Sequence, residues 1–154
     1  MSTAPLELLR EKIATRMVEE GVCTAGAIIL KRQTDIWNDI ATAVNARTNP
    51  DRIAWVIGIN EGSFLDDTDL VADLTIPITS FCPISLQKGA APEELKWHSM
   101  LHALHGWNDG LHCHYELKVR SFNDGIAQAD GKPAWHARET IFNIRHNIPK
   151  PTTP

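Results

Sequence analysis

Five of the chain's seven histidines lie between residues 98 and 114, in the run "HSMLHALHGWNDGLHCHYE". On a helix each residue advances by about 100°. His98, His102 and His105 therefore gather on one strip, beside an apolar stripe of Trp97, Met100, Leu101, Leu104 and Trp107. His112 and His114 are two apart and share one face of a strand. Two imidazoles four residues apart on a helix can reach one ion, with His105 or Glu116 as a third donor, so the chemistry to weigh is a zinc, nickel or iron site. The pattern is not HExxH, because residue 99 is Ser and the general base of that motif is missing. No carboxylate follows Glu94 within the helix to hold an activated water. The favoured reading is that these are boundary histidines flanking a buried stripe. The alternative is a metal-binding protein or metal-dependent enzyme built on His98, His102, His105, His112 and His114.

Other constellations are weaker. Ser63 sits in "EGSF" and lacks the GxSxG elbow of a serine nucleophile. Cys113 lies between two histidines, but adjacent strand residues point to opposite faces, so it points away from both. There is no dinucleotide fingerprint and no Walker motif. The stretch "EGSFLDDTD", 61–69, holds Glu61, Asp66, Asp67 and Asp69 but lacks the glycine and closing glutamate of a calcium loop, and reads as a solvated acidic loop. Cys23, Cys82 and Cys113 are far apart, odd in number and without CxxC spacing, which suits reduced thiols in a cytoplasmic setting. The net charge of −4 argues against a nucleic-acid binder, which needs cations to displace counterions from phosphates. The N-terminus has no basic start followed by an apolar run, and "AGAIIL" is too short to span a bilayer, so neither export nor a membrane is expected. The residues thus predict no catalytic group and no cofactor.

The elements that would position these residues follow from periodicity. "PLELLREKIATRMVEE", 5–20, predicts an amphipathic helix with Leu6, Leu9, Ile13 and Met17 as its stripe, Pro5 in its first turn and Gly21 as its stop. A short strand or extended segment follows at 22–31. A second helix, capped by Thr34 or Asp35 and reaching about Arg47, gathers Trp37, Ile40, Ala41 and Val44 on one face. "RIAWVIGIN" and 70–84 read as strands, the latter with an edge position or a bulge expected at Pro77 and Pro83, which cannot donate to a ladder. The helix from Pro92 to about Gly106 carries the histidine strip. Residues 112–122 and 136–148 read as paired strands, the second presenting Thr140, Phe142 and Ile144 on one face, joined by a long turn at 123–135 with two Asp-Gly pairs. The sum is a single α+β domain over 1–148: a mainly antiparallel sheet of four to five strands with two to three helices on one face, and a loose proline-rich tail at 149–154. Of five tryptophans, Trp107 beside a turn and Trp135 in a loop suit an interface.

The order of parts resembles the small phage tail terminator, or tail completion, proteins and related minor tail proteins. The residues that carry the resemblance are the opening helix "PLELLREKIATRM", the short helix "DIWNDIATAV", the paired strands "RIAWVIGIN" and "LVADLTIPITSF", and a helix ending in "LHALHGW". That helix runs into "HYELKVRSF" and a final "TIFNIRHNI". A Leu-His-Gly-Trp-like phrase often closes that helix in the family. The match covers roughly residues 5–148, and departs from short members in the 123–135 loop and the histidine strip. It implies a non-enzymatic protein of the virion tail, made in the host cytoplasm. Such a protein forms a homo-oligomeric, typically hexameric, ring that caps the tail tube and meets neck proteins. A heterologous ring needs two different complementary patches per protomer. The surfaces expected to supply them are the first helix (Leu6, Leu9, Ile13), the acidic loop (Asp66, Asp67, Asp69) and the turn that contains Trp135, together with Trp107.

Overall fold

A computed structural model describes residues 4–30, 36–59, 61–65, 71–84, 92–110, 115–128 and 134–147. Helix α1 spans Pro5–Glu19, and Leu9, Ile13 and Met17, spaced by four, are its buried stripe. Gly21, at φ 74°, ends it in the left-handed region that a side chain resists. A 3₁₀ turn at Ala25–Ala27 leads into β1 (Ile28–Leu30). Then come α2 (Ile36–Asn45), β2 (Ala54–Ile57), β3 (Glu61–Phe64), β4 (Val71–Pro83), α3 (Pro92–Leu104), β5 (Lys118–Ala127) and β6 (Trp135–Asn147). Thr34 and Asp35, the expected caps of α2, and the tail 149–154 lie outside the described residues.

The strands make one six-stranded sheet in the order β1-β2-β4-β6-β5, with β3 also on β4. Only the β1–β2 pair is parallel. The architecture is the α+β, mostly antiparallel one that the periodicity predicts, with one strand more. That strand is β3: residues 61–64, expected as part of an acidic loop, pair with Leu74 and its neighbours. β5 is also shifted: residues 115–117, expected within the strand, lie outside it, and Asn123–Ala127 continue to pair with β6 where a turn was predicted.

β4 is the central strand, bonded to β2 and β3 on one side and to β6 along its full length on the other. The edge position expected at Pro77 is therefore overturned, and Pro77 pairs in unbroken register with Ile141. The register slips by one residue between the pairs Ile57↔Ile78 and Glu61↔Thr75. In an antiparallel strand the N–H and C=O of one residue point the same way. Pro77 O accepts from Gly58 N at 3.0 Å, so the missing Pro77 donor also faces this slipped junction and the β6 ladder loses nothing.

Alternation across the sheet builds two cores. Trp55, Ile57, Leu74, Ile76, Ile78, Phe142 and Ile144 face α1 and α3, against Leu9, Ile13, Met17, Met100 and Leu104. Ala54, Val56, Phe81 and Trp135 face the other way, against Ile40, Ala43 and Val44 of α2. The helices thus cover both faces, not the one face expected, because every residue of β2 is buried and needs cover on each side.

Candidate functional site

The end of α3 is tied to the start of β5 by Gly106 N on Leu117 O at 2.7 Å and Leu117 N on Trp107 O at 2.9 Å. This sets the histidine strip beside the sheet edge. His98, His102 and His105 are all exposed. The Nδ1 of His105 accepts from Val119 N at 3.1 Å, so that lone pair already holds the first turn of β5 in place. His98 meets the Trp97 ring edge-on at 5.5 Å. Among the described residues no three His, Cys, Asp or Glu side chains converge where an ion would sit. His112, Cys113 and His114 lie outside the described residues.

A different polar cluster, which the sequence reading missed, joins α3 to the sheet. Ser80 Oγ donates to Glu93 Oε1 at 2.9 Å. Arg138 NH1 stands 3.1 Å from Glu93 Oε2, close enough for an ion pair but not aligned for a hydrogen bond. The same guanidinium donates twice to Asp124, from Nε and from NH2. It also lies 4.6 Å over the Trp97 ring, whose Nε1 donates to Thr140 Oγ1 at 2.8 Å. Burial works against the charge of Arg138, but the hydrogen bond to Asp124 and the charges of Glu93, Asp124 and Glu94 outweigh it and raise its pKa. Glu93 is 2% exposed and Ser80 1%, so this is a closed tie in which no substrate reaches the carboxylate. It could have been suspected from polar residues at inward positions of β4 and β6: Ser80 continues the face of Ile76 and Ile78, and Arg138 that of Phe142.

Among the described residues, grooves of two kinds open at the surface. One, of about 570 Å³, lies at the β5 side of the sheet and is lined by Asp73, Tyr115, Glu116, Lys118, Arg120 and Arg145. The other, of about 310 Å³, is apolar and lies between α1 and β1, lined by Ala14, Val18, Ile28 and Leu30 among others.

The structure redistributes the residues expected to face partners. Leu9 and Ile13 are enclosed in the chain's own core, and Leu6 is partly buried against it. Trp107 is half-buried on that core, with the Arg16 guanidinium 5.9 Å from its ring. Trp135 is not in a loop; it opens β6 and is buried against α2. Asp66, Asp67 and Asp69 lie outside the described residues. Several exposed large apolar side chains were not singled out, among them Leu95 on α3, Phe64 and Leu65 at the end of β3, and Phe122 and Ile126 on β5. Cys23 is an inert thiol: burial pushes it up to about 12, with Lys96 opposing and Asp51 adding.

No family model matches the chain, and no curated protein matches it. Among the described residues no helix is long and apolar enough to cross a membrane.

Proposed function

We propose that this chain is a structural tail-assembly protein of the tail-terminator kind. In this reading it works through protein surfaces, as a homo-oligomeric ring, six-membered in the expected form, at the end of a tail tube, where it meets tube and neck proteins in the virion tail. The observation that carries the reading is a pair of dissimilar exposed apolar patches on one sheet. Phe64 is 64% exposed and stands opposite Ala72. Ile126 is 72% exposed and stands opposite His136, itself opposite Cys82. The two patches are therefore three strand spacings and ten β4 residues apart, about 14 Å across the sheet and about 33 Å along it. Two different patches at opposite corners of a protomer are what a head-to-tail contact requires. The resemblance of the element order in the sequence to that family supports the same reading.

The test is size measurement by light scattering, alone and with tail-tube protein, together with electron microscopy of tube ends. The expected result is a ring, formed alone or on the tube, and tubes of fixed length with the protein at one end. A chain that stays monomeric and leaves tube growth unchanged refutes the reading.

A further inference from the structure

Helix α2 covers one end of its sheet face, where it packs on Ala54, Val56, Phe81 and Trp135. Towards the other end of β4 and β6 the same face presents Asp73, Thr75, Asn143 and Arg145, none of which is enclosed. The 570 Å³ groove opens at this barer end, with Asp73 and Arg145 on its floor and Tyr115, Glu116, Lys118 and Arg120 on the β5 side. Lys118, Arg120 and Arg145 make no ion pair among the described residues. Lys118 stands opposite Asn143, Arg145 is two residues further along β6, and Arg120 is two residues on in the other direction. The three cations therefore follow the strands over about 13 Å. Asp73 and Glu116 offset two of them, so the groove keeps a single positive charge in a chain whose net charge is −4.

We propose that this end of the sheet seats α1 of a second copy of the chain, its outward face turned to the groove. Leu9, Ile13 and Met17 of α1 are core, and the opposite side of the helix carries Glu11, Thr15, Val18 and Glu19 within about 100° of arc. Thr15, Val18 and Glu19 are exposed and Glu11 is half-buried. Glu20 holds Arg16, but Glu11 and Glu19 make no ion pair among the described residues. The two are eight helical residues apart, about 12 Å, which matches the run of cations. A helix is about 10 Å wide, and the four strands β3, β4, β6 and β5 offer about 14 Å across. Val18 of one copy and Tyr115 of the next are both exposed, so the contact covers apolar surface as well as pairing charge. The chain's own α1 is excluded from the groove by the sheet. It packs on Leu74, Ile76, Phe142 and Ile144, whereas Asp73, Asn143 and Arg145, their neighbours along the strands, point to the opposite face. Helix and groove are different surfaces, so the contact is heterologous and passes from copy to copy. It rests on the preceding reading only in taking the chain to self-associate.

Charge exchange tests it. The groove variant is Lys118→Glu with Arg120→Glu, and the helix variant is Glu11→Lys with Glu19→Lys. A control, Arg47→Glu with Arg52→Glu, changes net charge as the groove variant does but lies outside both surfaces. Self-association is measured by sedimentation, with circular dichroism as the check on folding. The groove and helix variants should each associate roughly tenfold or more weakly than wild type, and the control like wild type. An equal mixture of the two variants should regain association, since the reversed helix suits the reversed groove and each intact surface finds an intact one. A chain carrying all four changes should regain it too. A wild-type chain that is monomeric at every concentration, a groove or helix variant that associates like wild type, a control that weakens as much, or a mixture or folded four-change chain that stays weak overturns the proposal. Should a reversal prevent folding, Arg120→Gln and Glu19→Gln are to weaken association in the same direction, and wild-type association is to fall as salt rises from roughly 0.05 to 0.5 M. Association indifferent to either overturns it. A chain that is monomeric alone yet caps tubes would refute this contact and leave the tail assignment standing; association through groove and helix in a protein that ignores tube ends would do the reverse.

Discussion

Arg138→Ala is the sharpest probe of what holds α3 on the sheet. The side chain is 8% exposed, and its removal leaves the Glu93 carboxylate, 2% exposed, with the Ser80 hydroxyl as its hydrogen-bond donor. Breaking one partner of a buried ion pair costs about 3–5 kcal/mol, because the remaining charge keeps its desolvation penalty. Asp124 adds little to that figure, since its side chain is 43% exposed and screened by water. A chain of this length loses about 2–4 °C of Tm per kcal/mol, so the midpoint should fall by about 6–20 °C. Urea unfolding followed by tryptophan fluorescence reads the change directly, with Trp97 stacked 4.6 Å from the guanidinium. The double change Glu93→Leu with Arg138→Met removes both charges at once. It should be less destabilising than the sum of Glu93→Leu and Arg138→Met by about 1–3 kcal/mol. Arg138→Ala within about 0.5 kcal/mol of wild type, a change typical of an open surface position, would refute the reasoning.

Three further outcomes are expected. Ile13→Ala should cost about 2–5 kcal/mol, since Ile13 is fully enclosed by the sheet and α3, and a loss confined to assembly with unchanged urea stability would return it to the interface. Cys23, raised from 9.0 to about 12, should alkylate with iodoacetamide at pH 8 roughly tenfold or more slowly than in the unfolded chain, since less thiolate is present. Between those two values the unfolded thiol gives up its proton while the folded one keeps it. Stability should therefore fall as pH rises from 9 toward 12, and Cys23→Ser should lessen that slope. Added zinc should leave Tm unchanged in wild type and in His98→Ala with His102→Ala, and a zinc-dependent rise abolished by that pair would restore the metal reading.

The long periodic segments were legible because one face of each is buried. Leu9, Ile13 and Met17 on α1, and Thr140, Phe142 and Ile144 on β6, take the places their spacing predicts. β3 was not legible because all four of its residues are exposed, which leaves no alternation to read. The end of β5 was hidden by Asp124-Gly125, a turn signal by composition. The structure keeps it extended, with Asp124 opposite Arg138 and bonded to it, a long-range contact that local sequence does not contain. The side taken by α2 did have a signal: "AWVI" is apolar without alternation, the mark of a strand covered on both faces. The polar tie was harder to see, since Ser80, Glu93 and Arg138 belong to three elements and each alone looks like an ordinary surface residue.

The bulge in β5 links these local facts to the surface. From Glu116 to Val119 the alternation is the predicted one, with Leu117 buried and Glu116 and Lys118 outward, while Tyr115, expected inward, is exposed. The slip around Arg120 then inverts the parity. Phe122, Asp124 and Ile126 turn to the α3 side, where Phe122 meets Trp97 at 4.8 Å and Asp124 meets Arg138. A regular strand would have sent Asp124 to the opposite face and left Arg138 without it. The same slip interrupts a ten-residue edge, and His105 occupies the amide of Val119, so the edge is poorly suited to pairing backbone to backbone with another strand. A partner meeting this edge would meet side chains: Lys118 and Arg120 on one face, Phe122 and Ile126 on the other. A partner recognised by side chains is chosen by charge and shape, whereas a partner added as a strand is chosen by little more than an extended backbone. One irregular residue therefore does two things, completing the buried tie and breaking the edge as a template for strand addition.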